Sequence, residues 1–230
     1  MSTGGGLERA CDTLELTEAL AAAVGDLLEP GDRVALVGEL GAGKTTFVRG
    51  MSRTLGADES MVSSPTFVVV NQYPCRSPRL GSGVELVHAD LYRLTSAEDL
   101  DAVGWDRLTG PRSIVVAEWP DRAPGALGPA GSHAQIELVA TGEWSRVVRL
   151  AVPARWAARP AWAFLESRPP TTCRVTGRAV SPTSGSSPFA DERARLADLG
   201  AWFGERYRVT RSVREDDLDE GEKSGGEKPV

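Results

Sequence analysis

Apolar runs punctuated by Gly and Pro divide the first 150 positions into alternating strand-like and helix-like segments. Leu14 to Leu16 alternates with polar neighbours and predicts an edge strand. Thr17 then caps a helix in which Leu20, Ala21, Val24, Leu27 and Leu28 recur at helical spacing. Pro30-Gly31-Asp32 stops that helix and turns the chain into Val34 to Val37, which predict a strand buried on both faces. A second helix is expected from Lys44 to Leu55, with Phe47, Val48 and Met51 on one side and Gly56 at its end. Phe67 to Tyr73 and Val84 to Asp90 read as the two strands of a hairpin, the first ended by Pro74. Ser96, with Glu98 and Asp99 behind it, opens a short acidic helix toward Leu108. Ile114 to Glu118 is an apolar strand that ends in a carboxylate. Ile136 to Val139 and Arg146 to Leu150 close the pattern as a strand pair around Gly142.

Beyond about Pro153 the pattern breaks down. Arg155 to Leu165 carries Trp156, Trp162 and Phe164 and reads as a short packed or partner-binding segment. Arg168 to Pro188 is rich in Pro, Ser, Thr and Gly and is expected to be disordered. Leu196, Leu199, Trp202 and Phe203 predict an isolated amphipathic helix over 191–207, followed by a solvated tail from Glu215. The division expected is therefore a flexible 1–10, one domain over 11–154, and a largely disordered extension over 155–230. On this division, a chain ending near Ala154 should stay folded and bind its ligand.

The junction between the first buried strand and the second helix carries chemistry. Gly38, Gly43, Lys44 and Thr45 complete the spacing G-x-x-x-x-G-K-[ST] within Gly38-Glu39-Leu40-Gly41-Ala42-Gly43-Lys44-Thr45-Thr46. Glycines let the backbone curl until successive N–H groups point at phosphates, and the helix presents its positive end to them. Lys44 would reach the β and γ phosphates, and the Thr45 hydroxyl would ligate Mg²⁺. The strand before and the helix after supply the context that this motif requires, and the fold expected is α/β, a P-loop NTPase-like three-layer α/β/α arrangement with a mainly parallel central sheet and added antiparallel strands. Glu118, at the carboxyl end of a buried strand, is positioned either as a Mg²⁺ partner of Thr45 or as a plain solvated acid.

Charge narrows the partners. The 230 residues carry a net charge of −6, with 13 Lys and Arg against 20 Asp and Glu in residues 1–150. An acidic body does not grip a nucleic-acid backbone unaided, so any RNA contact is expected to run through a partner. Cys11, Cys75 and Cys173 have no paired spacing and, with His88 and His133 the only histidines, predict reduced thiols rather than a zinc site. No apolar run reaches the length of a membrane span, and Met1 to Arg9 lacks a signal pattern, so a cytoplasmic location is expected.

Four segments, in order, resemble the TsaE (YjeE) family: the phosphate loop through Phe47, Ser64-Pro65-Thr66-Phe67, Asp90-Leu91-Tyr92-Arg93-Leu94, and Glu118-Trp119-Pro120. The resemblance covers about 11–150. It implies an ATPase that, with ATP and Mg²⁺, supports threonylcarbamoylation of the adenosine beside the anticodon in tRNA. Partners of the TsaB and TsaD kind would carry out the transfer and contact the tRNA. It also implies that Lys44, Thr45 and Thr46 hold nucleotide and metal, that Glu118 is the metal-linked acid, and that Asp90 is catalytic. Ser64 and Thr66 would lie in a switch-like segment. Trp119 either packs in the core or touches nucleotide, His88 reads as structural, and Arg93 serves a phosphate, a partner or an ordinary ion pair. A small-molecule kinase would need an arginine-bearing lid, which the short connection holding Arg76 and Arg79 does not offer. A nucleotide-dependent module without catalysis is the other alternative, and a GTPase is disfavoured because no Asn-Lys-x-Asp occurs.

Overall fold

A computed structural model describes residues 4–208. Its first strand, β1 (Gly5–Cys11), precedes helix α1 (Leu14–Leu27), strand β2 (Arg33–Val37) and helix α2 (Lys44–Leu55). Strands β3 (Val70–Cys75) and β4 (Val84–Asp90) follow, then the short helices α3 (Ala97–Ala102) and α4 (Trp105–Leu108) and strand β5 (Ser113–Glu118). Strands β6 (Ala134–Ala140) and β7 (Arg146–Val152) lead into α5 (Ala154–Ala157) and α6 (Pro160–Ser167). A two-stranded hairpin, β8 (Thr171–Thr172) with β9 (Ala179–Val180), and helix α7 (Glu192–Arg208) complete the described chain.

Seven strands form one sheet in the order β1-β7-β6-β2-β5-β4-β3. Its centre, β6-β2-β5-β4, is parallel, and antiparallel partners extend it on both sides. Alternation along the central strands sends Val34, Leu36, Leu86, Ile114 and Val116 to the face covered by α1, α2 and α6. Ala35, Val87, Ala89, Val115 and Ala117 go to the opposite face, where Trp105, Leu100 and Leu127 cover them. The result is the expected three-layer architecture. The two helices α1 and α2 meet through glycines: a Cβ on Gly25 would sit 2.3 Å from Thr54 Oγ1, and one on Gly50 would sit 2.6 Å from the Ala21 methyl. Only a residue without a side chain permits that approach.

The edges differ from the sequence reading. Residues 5–11 are not a flexible leader but a strand paired antiparallel with β7, Leu7 opposite Leu150. Leu14 to Leu16 is the first turn of α1, whose cap is Thr13, accepting the Leu16 N–H at 3.2 Å. Thr17 lies inside the helix and bonds the Thr13 carbonyl. Strand β3 begins only at Val70, because Val69 adopts φ +70° and turns the chain sharply before it. Pro74 sits within β3 rather than after it, which an edge strand tolerates because one side of its backbone makes no ladder bonds.

The largest correction concerns residues after Ala154. Trp156, Trp162 and Leu165 are fully or almost fully buried in the core beneath the sheet. Asp32, 2% exposed at the start of β2, accepts the Trp156 indole N–H at 2.8 Å, and Arg159 grips it at 2.5 and 3.1 Å. Arg159 also donates to the Leu27 carbonyl at 2.8 Å, and Arg9 donates to the carbonyls of Leu165 and Glu166 at the end of α6. Residues 168–188, expected to be disordered, contain the β8–β9 hairpin, which packs Cys173 and Val180 against Ala194 of α7. Helix α7 lies where the amphipathic pattern placed it, with Leu196 and Leu199 exposed. The tail from Glu215 lies outside the described residues.

Candidate functional site

The site forms at the carboxyl end of the parallel strands. Gly38 to Gly43 connects β2 to α2 as a tight loop, with positive φ at Gly38, Gly41 and Gly43. Gly43 is the cap residue of α2 in the left-handed conformation and offers no side chain to the first turn, so the leading N–H groups of α2 face outward. Glu39, Leu40 and Gly41 form the exposed crest, Ala42 is buried beneath it, and Thr46 is half-buried in the first turn of α2.

Three expected site residues converge beside this loop. Lys44, 6% exposed, bonds the carbonyls of Gly38 and Glu39 at 2.9 and 3.1 Å and lies 3.8 Å from Glu118 Oε2. The Thr45 hydroxyl donates to Glu118 Oε1 at 3.3 Å. Because β4 and β5 pair with Asp90 opposite Glu118, both carboxylates emerge side by side on the α2 face of the sheet. Asp90 accepts the Tyr92 backbone N–H at 3.0 Å and the Thr66 hydroxyl at 2.5 Å, and Ser64 bonds Thr66 at 2.8 Å. The Ser64–Thr66 segment is thus tethered to Asp90, while the next two side chains, Phe67 and Val68, point into solvent. Val69 closes the segment in its strained conformation, its carbonyl accepting the Asp90 N–H at 2.9 Å.

Trp119 is half-buried, with its ring 4.6 Å from Lys44 Nζ and edge-on to Tyr92 at 5.3 Å. It therefore packs over the lysine rather than in the core. Arg93 is exposed, and Arg122 lies over Tyr92 at 5.0 Å.

The sequence reading gave His88 a structural part without its partner, and did not single out Arg146. His88, fully buried, puts Nε2 2.9 Å from Glu118 Oε1. A signal was available: His88 and Asp90 are two apart on one strand and must share a face. Arg146, the first residue of β7, donates from Nε to the Ala42 carbonyl at 2.8 Å and so braces the phosphate loop from the side. No sequence signal marks it, since its partners are backbone carbonyls.

The donor set suits a magnesium-bound nucleotide. Thr45 and Glu118 offer hard oxygen ligands on one side of the loop, Lys44 offers the cation, and the loop and the start of α2 offer backbone donors.

Comparison with known proteins gives the family. A family profile described as "Threonylcarbamoyl adenosine biosynthesis protein TsaE" matches residues 11–148. Curated relatives bearing the name tRNA threonylcarbamoyladenosine biosynthesis protein TsaE include one from Streptomyces coelicolor, 45% identical over 97 residues, which cover 40% of this chain and 60% of that protein. Another, from Mycobacterium leprae, is 34% identical over 148 residues, covering 58% of this chain and 88% of the relative. The crystal structure of Bacillus subtilis YdiB superposes with a TM-score of 0.51 at 26% identity, over 70% of this chain and 94% of YdiB. The match to the Streptomyces protein thus spans less than two thirds of that relative's length. With a family profile matching well over half of its residues, this chain belongs to the TsaE family.

Proposed function

We propose that this protein binds and hydrolyses ATP with Mg²⁺ to support threonylcarbamoylation of the adenosine next to the anticodon in tRNA. It would act with protein partners of the TsaB and TsaD kind. The observation that carries the reading is the meeting of Lys44, Thr45 and Glu118 at the mouth of one phosphate loop. The names of its relatives supply the pathway.

In this reading the loop backbone and the first turn of α2 bind the phosphates, and Lys44 swings from the Gly38 and Glu39 carbonyls onto their oxygens. Thr45 and Glu118 would hold Mg²⁺, which when bound would supply positive charge against the phosphate oxygens. Asp90 orients the attacking water, and the Thr66 hydroxyl keeps its carboxylate in place. Arg93 is exposed and Arg146 is engaged with loop carbonyls, which leaves Lys44 as the cation closest to Glu118. Hydrolysis by the isolated chain is therefore slow, and partner binding completes the site.

Two acids with different tasks should separate in mutants. Glu118→Gln weakens Mg²⁺-dependent ATP affinity along with hydrolysis. Asp90→Asn keeps near-normal affinity while kcat falls by about 10²-fold, because its contribution arises mainly in the transition state. Nucleotide titration with and without Mg²⁺, alongside steady-state hydrolysis with partners, makes the comparison. Loss of Mg²⁺-ATP binding in Asp90→Asn with normal binding in Glu118→Gln would exchange the two roles.

The surface charge gives an independent expectation. With 13 basic against 20 acidic side chains in residues 1–150, the isolated chain retains tRNA only weakly at physiological salt. A filter-binding titration across salt concentrations tests this, and tight binding without partners would contradict it.

A further inference from the structure

Strand β4 carries one side chain that its surroundings do not ask for. Leu86, Val87 and Ala89 are apolar and fully buried, and His88 lies among them, fully buried as well. An imidazole is costly to bury unless its nitrogens are hydrogen-bonded. Nδ1 has no hydrogen-bond partner among the described residues, so the ring's polar engagement rests on Nε2, 2.9 Å from Glu118 Oε1. An ionised carboxylate only accepts, so Nε2 carries the hydrogen. Packing alone would be met by an apolar side chain. What the histidine adds is the bond to Glu118.

Register places the ring behind the acid. In the parallel pairing of β4 with β5, Asp90 is opposite Glu118 and His88 opposite Val116, so His88 shares the face of Glu118 but lies further from the strand ends. Glu118 has three side-chain partners there. Lys44 Nζ lies 3.8 Å from Oε2, while Thr45 and His88 meet Oε1 at 3.3 and 2.9 Å. Two of the three belong to the first turn of α2, and they are the groups assigned above to phosphate and Mg²⁺. Once they turn to the nucleotide, a carboxylate only 4% exposed keeps His88 of the three. His88, buried on an inner strand, cannot follow them. Because it engages Oε1, Oε2 stays on the side of Lys44 and the loop.

We propose that His88 is the positioning residue for the Glu118 carboxylate, holding Oε1 from behind after Lys44 and Thr45 have gone over to the nucleotide. The assignment rests on Glu118 as the Mg²⁺-side acid and adds what fixes that acid in the loaded state. A hydrogen bond behind a metal-binding group typically governs metal affinity by about 10- to 100-fold. The expected signature is therefore selective. His88 matters for the response of ATP binding to Mg²⁺, and not for the phosphate contacts of the loop backbone and Lys44.

Amides of two lengths test this in the full chain. Gln carries its side-chain nitrogen out to where Nε2 lies, whereas Asn ends near Nδ1 and falls short of Glu118. ATP is titrated calorimetrically at a series of Mg²⁺ concentrations and in EDTA. For His88→Asn the Mg²⁺ concentration that gives half the full gain in ATP affinity should rise by about 10- to 100-fold, with affinity in EDTA unchanged. His88→Gln should recover most of the shift. His88→Leu, which removes the donor without burying an amide, should shift as His88→Asn does. In a Glu118→Gln background His88→Asn should add nothing, because its effect runs through that carboxylate. An unshifted Mg²⁺ dependence in His88→Asn or His88→Leu would overturn the assignment, as would equal shifts in the two amides. A parallel loss of ATP affinity in EDTA would overturn it too, since that marks a structural effect on the loop. If Glu118→Gln left the Mg²⁺ dependence of ATP binding untouched, the metal reading of Glu118 would fall instead, and the positioning role with it.

Discussion

A chain ended after Ala154 fails to fold into a stable, nucleotide-binding protein. Such a truncation removes Trp156, Trp162 and Leu165 from the core beneath α1 and the β1–β7 edge. Loss of one large buried side chain costs about 3–5 kcal/mol, and two of these are tryptophans. It also strips Asp32 of the Arg159 guanidinium and the Trp156 indole, leaving a carboxylate at 2% exposure without its cation. Removing one partner from a buried pair costs a further 3–5 kcal/mol or so. Together these losses reach the whole stability of an ordinary domain, about 5–15 kcal/mol. Comparing 1–154 with 1–208 by circular dichroism and urea unfolding decides the matter. A cooperative transition at an unchanged midpoint in the short form would refute the prediction. A milder version isolates the ion pair: Asp32→Ala in the full chain should lower stability by about 3–5 kcal/mol at unchanged m-value.

Lys44→Ala is expected to abolish ATP hydrolysis and lower ATP affinity by about 10²-fold or more, while the fold persists. The ammonium is the cation nearest Glu118, and its present partners, the Gly38 and Glu39 carbonyls, are neutral groups that yield to phosphate oxygens. A charge-assisted hydrogen bond contributes about 1.5–3 kcal/mol, and Lys44 is placed to make two. Glu118 retains the Thr45 hydroxyl and His88 as partners, so its carboxylate is not abandoned. Calorimetric titration and the thermal midpoint together read the outcome. Normal ATP affinity in a folded Lys44→Ala protein would remove the phosphate loop from the mechanism.

The centre of the molecule was readable in the sequence because buried parallel strands must be almost wholly apolar. Val34 to Val37 and Ile114 to Val116 cannot hide that pattern, and Glu118 announced itself as the acid that ends one of them. Strand β1, the packing after Ala154 and the start of β3 were not readable, each for a physical reason. Strand β1 does alternate in burial, but its run Gly5-Gly6-Leu7-Glu8-Arg9-Ala10 has little apolar bulk and gains its order only from β7. Trp156 and Trp162 were visible as apolar residues, yet what fixes Trp156 is Asp32, a residue that locally reads as an ordinary turn acid. Within the site, strand ends located Asp90 and Glu118, but the contact of Thr45 with Glu118 depends on the path of the loop in space. Val69 belongs to a run of three valines that argues for strand, but its N–H donates to the Pro65 carbonyl in a local turn and its carbonyl accepts the Asp90 N–H, which overrode that preference.

Strand β1 pairs, among the described residues, with β7 alone, about 140 positions further along the chain. During synthesis, Gly5 to Cys11 must therefore wait for Arg146 to Val152 to leave the ribosome, while the β2–α2 unit can already form nearby contacts. Translation proceeds at about 5–20 residues per second, so β1 stays unpaired for roughly 7–30 seconds. Over that interval its alternating backbone is an open edge to other chains. Closure of the sheet is then a late, long-range event coupled to the arrival of α5 and α6, and chaperone dependence should fall on this step rather than on the nucleotide site.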